Sequence, residues 1–354
     1  MGNFNEQIDI AGQFLIDGSV VSIEPYGSGH INSTFLITTE QKKYILQKIN
    51  TAVFKKPDEV MRNIFYVTNH LMSKNEETLS FKKTKNGEMM LCREDGCYRL
   101  YEYIDNVVSY EQAKDKTIFE NVGQAFGHFQ NILADFDASL LCETIARFHD
   151  TPNRYKNFEN AVKNNTADRL RFCEDEVKFV TDRKDTYDKI IKGIECGDIP
   201  LRVTHNDTKL NNILVDPVTK KARAVIDLDT VMPGSLLYDF GDSIRFGAST
   251  AAEDEQNLDL VHFDIDLYRA FAKGFCTELK SSMTDMEKEL LPYSAYLMTM
   301  EVGMRFLTDF LEGDVYFSTK YPEHNYHRCR TQFKLAQEME NAMDEMKVIT
   351  NEYL

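Results

Sequence analysis

Apolar positions in the N-terminal part of the chain form short runs separated by turn residues, a pattern typical of a β-sheet. Two segments differ, because their apolar residues recur at the spacing of an amphipathic helix. The predicted strands cover 20–23, 33–37, 43–49 and 98–104, and the predicted helices cover 4–16 and 57–72. Asn86-Gly87 and Asp95-Gly96 are strong turn signals ahead of the last of these strands.

The pattern becomes mainly helical from residue 116 onward. An apolar stripe runs along one side of the first predicted helix of this part. Such a stripe is more typical of a core-facing surface than of a cofactor site. Its members are Ile118, Val122, Phe126, Phe129 and Ile132. Further helices are predicted over 168–194, 285–311 and 330–347. The two patterns predict an α+β protein with a β-rich N-lobe over residues 1–104 and a helical C-lobe over residues 105–354.

Composition narrows the classes of partner. The chain has 354 residues, of which 42% are hydrophobic, enough to bury a sizeable core. Its net charge of −16 argues against nucleic acid or an anionic membrane as partner. No run approaches the roughly 18 apolar residues of a membrane span, and the start carries no pattern of a secretory signal.

Cysteine usage indicates the compartment. The seven cysteines are odd in number, scattered and without a CxxC pair. They predict a reducing, cytoplasmic setting with neither disulfides nor a zinc site. We expect a monomer, although composition leaves the oligomeric state open.

The stretch from 203 to 247 carries the candidate chemistry. Asp207 lies two residues after His205, Asn212 lies five residues after Asp207, and Asp227 ends a short apolar run. Two apolar runs with a turn-rich segment between them predict a β-hairpin with Asn212 and Asp227 together at its open end. A carbonyl oxygen and a carboxylate suit Mg²⁺, and Asp207 can accept a proton from an attacking hydroxyl. This ordered set predicts a catalytic loop for ATP-dependent phosphoryl transfer.

Asp239-Phe240-Gly241 spells the tripeptide that carries the metal-binding aspartate of protein kinases. It stands too far after Asn212 for one tight hairpin, whereas the spacing of Asp227 fits that geometry. We therefore expect Asp227 to bind the metal and Asp239 to brace the catalytic loop from a buried position. Asp229 is a further carboxylate that could share a metal or brace the loop.

The pattern H-x-D-x-K-x-x-N, formed by His205, Asp207, Lys209 and Asn212, matches the kinase catalytic loop in spacing. With the segment 226–229 it resembles the aminoglycoside phosphotransferase/choline kinase superfamily, which has the protein-kinase fold. The strings HNDTKLNNIL, VIDLDTVMPG and YDFGDSIRFG are similar to those of the N-acetylhexosamine 1-kinases, which phosphorylate the anomeric hydroxyl of N-acetylated hexosamines. YGSGHINSTF, RFHDTPNR, GMRFLTDFLEGDVYF and RCRTQFKL extend the likeness over nearly the whole chain.

The resemblance implies ATP and Mg²⁺ as cofactors and a sugar as substrate. Asp207 would orient the attacking hydroxyl and accept its proton, and Asn212 with Asp227 would hold magnesium. Lys209, two residues beyond the base as in protein kinases, would neutralise charge on the transferred phosphate. The implied fold is a two-lobed, protein-kinase-like one with the nucleotide between the lobes.

The resemblance also implies that His30 and Arg305 contact the sugar. A loop histidine such as His30 is by itself more typical of a solvated or capping residue. Arg305 stands four residues from Glu301 and from Asp309, so a surface ion-pair ladder is its structural alternative. The apolar residues around Arg305 favour the sugar contact.

The expected nucleotide site combines a glycine-containing turn, a lysine and a hinge. Backbone N–H groups of the turn would approach the phosphates, and backbone groups of the hinge would bind adenine. Lys48 is the candidate lysine, with Glu59 as its ion-pair partner. Because strand alternation sends Gln47 and Lys48 to opposite faces, Gln47 is the alternative residue facing the phosphates. An ordinary hairpin and an ordinary edge strand are the alternatives for turn and hinge. The residues assigned to the turn and the hinge are Gly27, Ser28, Gly29, Glu102 and Ile104.

Three other functions fit parts of the same sequence. A kinase of another small hydroxyl substrate, such as choline, an aminoglycoside or a different sugar, would suit the acidic charge if that substrate were cationic. A protein kinase is disfavoured because no segment ending in Ala-Pro-Glu follows Asp227. A non-catalytic nucleotide-binding module would keep the fold, but the intact set of Asp207, Asn212 and Asp227 argues against it.

Overall fold

The computed structural model of the chain describes residues 5–27, 32–112 and 115–354. Its N-terminal strands are β1 (Val20–Pro25), β2 (Ser33–Thr39), β3 (Lys43–Ile49), β4 (Leu91–Arg93) and β5 (Gly96–Glu102). They form one antiparallel sheet in the order β1-β2-β3-β5-β4. Helix α1 (Asn5–Ala11) precedes β1, and α2 (Pro57–Ser73) lies between β3 and β4.

The two faces of this sheet have different partners because successive side chains of a strand point to opposite sides. Tyr44 and Leu46 of β3 pack with Leu100 of β5 and the buried side of α1. Ile49 of β3 lies on the other face and packs with the buried side of α2. Neighbouring residues of β3, such as Gln47 and Lys48, therefore face different environments.

The rest of the chain is mainly helical. Its helices are α3 (Lys116–Ile132), α4 (Thr151–Asn164), α5 (Glu174–Thr181), α6 (Lys189–Cys196), α7 (Leu236–Gly247), α8 (Ile265–Leu279), α9 (Asp285–Glu312) and α10 (His324–Asn351). Two short strand pairs lie among them, β6 (Arg202–Thr204) with β9 (Met232–Gly234) and β7 (Ile213–Val215) with β8 (Ala222–Val225). Over the described residues, no helix combines the length and the apolar character needed to cross a membrane.

Close helix packing holds α7 against the core. A Cβ on Gly241 would lie 2.4 Å from the backbone oxygen of Ser294 on α9, so only glycine permits this approach. The neighbouring Phe240 is fully buried. Helix α7 is therefore fixed in place, and its first residues support the catalytic loop.

Two expectations about local structure are wrong. The helix predicted over 168–194 is broken into α5 and α6, and between them Tyr187 turns into the core. Cys92 and Cys97 form a disulfide between β4 and β5, where none was expected. They lie directly opposite each other because the turn at Asp95-Gly96 closes the hairpin in that register. A sequence separation of five residues did not by itself reveal this pairing.

Candidate active site

The catalytic loop connects β6 to β7 and brings Asp207, Lys209 and Asn212 together. Asp207 Oδ1 lies 2.8 Å from Lys209 Nζ. Asn212 Nδ2 donates to the backbone oxygen of Asp207 at 2.8 Å and to its Oδ2 at 3.2 Å. Both carboxylate oxygens of Asp207 are thus oriented by residues of the same loop, and the side chain remains partly exposed to the cleft.

Opposing effects set the protonation state of Asp207. Burial by itself would raise the pKa of this carboxyl, but the charge and hydrogen bond of Lys209 outweigh burial and lower the pKa. The attraction of Asp207 likewise raises the pKa of the Lys209 ammonium. At neutral pH the loop therefore presents a carboxylate that can accept a hydrogen bond from a hydroxyl, beside a cation that can meet a phosphate.

The hairpin predicted after the loop is formed by β7 and β8. Ile213 pairs with Val225, and the N–H of Ile226 donates to the backbone oxygen of Asn212 at 2.9 Å. Asp227 follows in the left-handed backbone region with φ 59°. Non-glycine residues adopt that region at an energetic cost, and such residues concentrate at functional sites. The hairpin thus places Asn212 and Asp227 at its open end.

Asp227 has a carboxylate that no other described residue binds through a hydrogen bond or an ion pair. The residue is exposed within the cleft, although protein atoms surround it on most sides. Burial, followed by the charges of Asp229 and Asp207, raises the pKa of Asp227 to about 6. A divalent cation would relieve this repulsion through its positive charge. Mg²⁺ suits the position because it prefers oxygen ligands.

Asn212 and Asp227 fit Mg²⁺ as a pair of ligands and not as a complete cage. In the part of the chain that the structure describes, no group of three or more His, Cys, Asp or Glu side chains is arranged to hold a metal. Mg²⁺ commonly binds one or two protein ligands and completes its shell with phosphate oxygens and water. The donor set therefore suits a metal that binds together with a nucleotide.

Asp239 braces the catalytic loop, as expected from its spacing. Its carboxylate accepts the backbone N–H groups of His205 at 2.9 Å and Asn206 at 2.7 Å, and the side-chain amide of Gln130 at 2.6 Å. Its backbone oxygen accepts the hydroxyl of Thr208 at 2.6 Å. Every one of these contacts is buried, so Asp239 has no open side for a metal.

The lysine assigned to the nucleotide does not reach the cleft. Lys48 points to the opposite face of β3 and pairs with Asp95 at 3.0 Å. Glu59, its predicted partner, pairs with Lys56 at 2.7 Å. Both assignments are therefore corrected, because the pleat sends Gln47 and not Lys48 toward the cleft.

The cation on the cleft-facing side is Arg99 of β5, which sequence reasoning missed. Gln47 and Arg99 are register partners, and Arg99 donates to Asp229. The other oxygen of Asp229 accepts from the side-chain amide of Asn32 at 2.6 Å. Asp229 is thus fully engaged within the protein. The strand run Tyr98-Arg99-Leu100 held a signal, since a charged residue inside a buried strand needs a partner.

The hinge assignments have different outcomes. The backbone N–H of Glu102 is already bonded to the oxygen of Ser80 at 3.0 Å, and its side chain pairs with Lys42 at 3.2 Å. Glu102 therefore offers adenine neither its N–H nor its carboxylate. The backbone of Ile104 has no hydrogen-bond partner among the described residues. Gly27 has φ 77°, and no atom of the described residues lies within 4 Å of the place that a Cβ would take. Ser28, Gly29 and His30 lie outside the described residues.

The ion-pair ladder considered for Arg305 does not form. Glu301 binds the ring of His149 at 2.9 Å and the hydroxyl of Thr151 at 2.6 Å. Asp309 accepts three backbone N–H groups of the loop that follows α9. Among the described residues, Arg305 has no ion-pair partner, so its charge remains available.

Aromatic rings surround Arg305. Its guanidinium carbon lies 5.3 Å from the ring centre of Phe148, 5.5 Å from that of Phe317 and 5.9 Å from that of Tyr316. Burial, and then the charge of Arg305, lowers the pKa of Arg154. This corner of the C-lobe therefore combines positive charge with exposed and half-buried aromatic surface.

A cavity of about 570 Å³ lies in the C-lobe, and none of Asp207, Lys209 and Asn212 lines it. Its link to the catalytic loop is Glu111 on its wall, which accepts from the side-chain amide of Asn211 at 3.3 Å. Arg245 on α7 lines this cavity, and its charge acts on both Asp207 and Lys209. The volume is adequate for a small-molecule substrate. Its wall includes Glu111, Arg245, Phe246, Glu253, Asp264 and Gln332.

Arginines neutralise the buried Asp242 and the half-buried Glu253 of this cavity region, a feature that sequence reasoning missed. Arg245 binds Asp242 at 2.8 Å and Glu253 at 2.9 Å, and Arg328 binds Glu253 at 3.2 Å. Arg328 also lies over Phe317, one of the rings around Arg305. The i, i+3 spacing of Asp242 and Arg245 in the helix after the catalytic loop was the available signal.

Solved structures share the fold. A microcompartment-associated aminopropanol kinase is 14% identical, with a TM-score of 0.66 over 98% of this chain and 99% of its own. A spectinomycin phosphotransferase in complex with ADP and spectinomycin is 13% identical, with a TM-score of 0.62 over 96% and 98%. Choline kinase from Cryptosporidium parvum is 15% identical, with a TM-score of 0.56 over 94% and 92%. The predicted two-lobed, kinase-like α+β fold is confirmed.

The family assignment rests on sequence. The profile of the phosphotransferase enzyme family, APH, matches residues 22–274. This range is more than half of the chain, and it contains the catalytic loop, the hairpin and the α7 helix that braces them. The chain therefore belongs to the phosphotransferase enzyme family.

Proposed function

We propose that the protein transfers the γ-phosphoryl group of ATP to the anomeric hydroxyl of an N-acetylhexosamine, GlcNAc or GalNAc, giving the sugar 1-phosphate and ADP. The observation that carries the kinase chemistry is the unpartnered carboxylate of Asp227 beside the loop of Asp207, Lys209 and Asn212. Burial, and then the charges of Asp229 and Asp207, raise the pKa of this carboxyl to about 6. Mg²⁺ bound with a nucleotide would supply the cation that the carboxylate lacks.

The residues of the loop divide the work of phosphoryl transfer, which is mostly positioning and charge neutralisation. A bond forms between the anomeric oxygen and the γ-phosphorus while the bond from that phosphorus to the bridging oxygen of ADP breaks. The proton of the hydroxyl passes to Asp207, and Lys209 offsets charge on the transferred group. Asn212 and Asp227 would hold Mg²⁺, which neutralises the phosphates when bound.

The nucleotide is proposed to lie between the lobes formed by residues 1–104 and 105–354. The unpaired backbone of Ile104 supports a contact to adenine, since such groups need partners. The open left-handed turn at Gly27 supports a contact of the segment Gly27-Ser28-Gly29 with the phosphates. The spectinomycin phosphotransferase that shares this fold is in complex with ADP, which supports the use of a nucleotide.

A neutral acceptor is supported by the charges around the cavity. The buried Asp242 and the half-buried Glu253 are held by arginines, so neither is free to bind an ammonium group. Asp264 caps α8 through two backbone N–H groups, and Glu111 is exposed. A cation bound at Asp242 or Glu253 would therefore have to break an existing pair, whereas sugar hydroxyls can join such pairs as donors and acceptors.

Cations on the acceptor side also suit a sugar phosphate. Lys209 and the uncommitted Arg305 can bind hydroxyl and acetamido oxygens before transfer and phosphate oxygens after it. His30 is proposed to join them from the N-lobe. A quaternary ammonium would be repelled by the same cations and would call for an aromatic or acidic cage.

An amino-alcohol kinase is the second candidate, favoured by one observation. The net charge of −16 would attract a cationic substrate.

The decisive experiment measures ATP consumption with N-acetylhexosamines, plain hexoses, choline and aminoglycosides, with Asp207→Asn as the control for contaminating kinases. Phosphorus NMR should show product phosphate coupled to the anomeric proton. A 6-phosphate, or preferential phosphorylation of choline, would overturn the proposal.

A further inference from the structure

A row of polar side chains crosses the face of the sheet that looks toward the cleft. Strand register sets Thr34 of β2, Gln47 of β3 and Arg99 of β5 side by side. Gln47 Nε2 donates to Thr34 Oγ1 at 3.1 Å, and Gln47 Oε1 accepts from Arg99 Nε at 2.9 Å and Nη2 at 2.8 Å. The position of β3 opposite Arg99 is therefore the uncharged Gln47, and the cation of this row stands on β5.

The guanidinium of Arg99 reaches the metal-binding hairpin through Asp229. Arg99 is 3% exposed and Asp229 is 4% exposed. A buried ion pair is costly unless its remaining donors and acceptors are satisfied. Here Gln47 accepts two of the N–H groups of Arg99, and Asn32 donates to the second oxygen of Asp229 at 2.6 Å.

The same carboxylate ties three segments together. Asn32 precedes β2 at the end of the glycine-containing turn, and its side-chain oxygen accepts the N–H of Asn50 at 2.9 Å. Asp229 lies two residues after Asp227 at the end of the β7–β8 hairpin. The Arg99–Asp229 pair thus connects the sheet and the turn to the carboxylate proposed to hold Mg²⁺.

We propose that Arg99, placed on β5 and acting through Asp229, supplies to the nucleotide site the positive charge that was expected from a lysine on β3. It is a positioning residue, because its side chain is buried and its guanidinium is bonded to Gln47 and Asp229. Its charge compensates Asp229, so that Asp227 is the one uncompensated carboxylate that this hairpin end presents to the nucleotide. Without Arg99, a second negative charge would stand beside Asp227 and the triphosphate, where the low local dielectric makes repulsion strong.

The inference rests on the proposed use of MgATP but not on the identity of the acceptor. The probe is therefore Mg²⁺ with a non-hydrolysable ATP analogue, and its Kd is measured by isothermal titration calorimetry in the full chain. Arg99→Gln should raise this Kd at least about tenfold. In turnover assays the same change should raise the KM for ATP, while the KM for the acceptor should stay within about twofold.

Two further variants separate positioning from general damage to the fold. Gln47→Lys combined with Arg99→Gln returns the cation to β3 and should recover much of the lost nucleotide affinity. Lys48→Gln is the matched control, since it removes a cation from the opposite face of the same strand and should leave the Kd unchanged. If Arg99→Gln does not fold, the charge-balanced Arg99→Gln/Asp229→Asn variant replaces it and should bind the analogue within about threefold of the wild type.

Each outcome decides the question. An unchanged Kd in folded Arg99→Gln would overturn the inference, and so would equal losses in Arg99→Gln and in the relocated-lysine variant. The inference would also be overturned if the charge-balanced variant bound the analogue as poorly as Arg99→Gln does. Where Arg99→Gln cannot be made, a Kd of the charge-balanced variant more than about tenfold above that of the wild type would overturn it. If the wild-type protein binds no nucleotide, the proposed function itself fails. This failure differs from a failure of the role of Arg99, because each variant is compared with a measurable Kd of the wild type.

Discussion

The carboxylate of Asp239 accepts the backbone N–H of Asn206 at 2.7 Å, and this bond anchors the catalytic loop to helix α7. The aspartate of the Asp-Phe-Gly tripeptide thus supports the backbone of the loop from behind. Asp227, at the end of the hairpin, has a carboxylate without a hydrogen-bond or ion-pair partner in the part of the chain that the structure describes. Two aspartates that sequence motifs could confuse therefore have separable roles.

Exchange of either carboxylate for an amide should separate these roles. Asp227→Asn should keep its fold and weaken Mg²⁺-dependent nucleotide binding at least about tenfold, because it removes a metal ligand. Asp239→Asn should instead lower the free energy of unfolding by about 1–3 kcal/mol, because it loses charged acceptors for buried N–H groups. Calorimetric titration and thermal unfolding of both variants test this. If the two variants exchanged these behaviours, the tripeptide would be the metal site.

Loss of the base should affect chemistry and not nucleotide binding. Asp207→Asn keeps the shape of the side chain but cannot accept the proton, so kcat should fall about 10²- to 10⁴-fold. The Kd of the ATP analogue should change less than about threefold. Turnover close to that of the wild type would exclude Asp207 as the base.

Arg305 should act on the acceptor alone. Arg305→Ala should raise the KM for the sugar roughly tenfold, equivalent to about 1.4 kcal/mol, with little change in the KM for ATP. Arg171→Ala is the matched control, because Arg171 is an exposed arginine stacked on a ring elsewhere in the C-lobe. Equal effects of the two substitutions on the KM for the sugar would remove Arg305 from the acceptor site.

The raised pKa of Asp227 predicts a pH-dependent cost to stability in metal-free protein. Between the unfolded value near 3.8 and the folded value of about 6, the native state binds the proton that the unfolded state has released. Stability from this group is therefore present at low pH and is lost as pH rises through about 6. Metal-free Asp227→Asn should have a higher Tm than wild type at pH 7.5, and the difference should shrink toward pH 5. A difference that does not vary with pH would contradict the shift.

Sequence alone determined the parts of this protein that depend on local spacing. The loop of Asp207 and Asn212 and the hairpin that ends at Asp227 are built from contacts within about twenty residues, so turn and strand signals sufficed to place them. The same reasoning separated Asp227 from Asp239, since one tight hairpin limits the distance along the chain. The change from alternating to helical periodicity likewise predicted the two lobes.

The tertiary structure decided everything that depends on strand register and on distant partners. One residue of register separates Gln47 from Lys48 and sends them to opposite faces, and the sequence does not state which face looks toward the cleft. Arg99 and Asp229 are 130 positions apart, and Arg305 loses its neighbours on α9 to partners from other segments. Such pairings depend on packing of the whole chain, because a buried charge takes whichever partner the fold brings within reach.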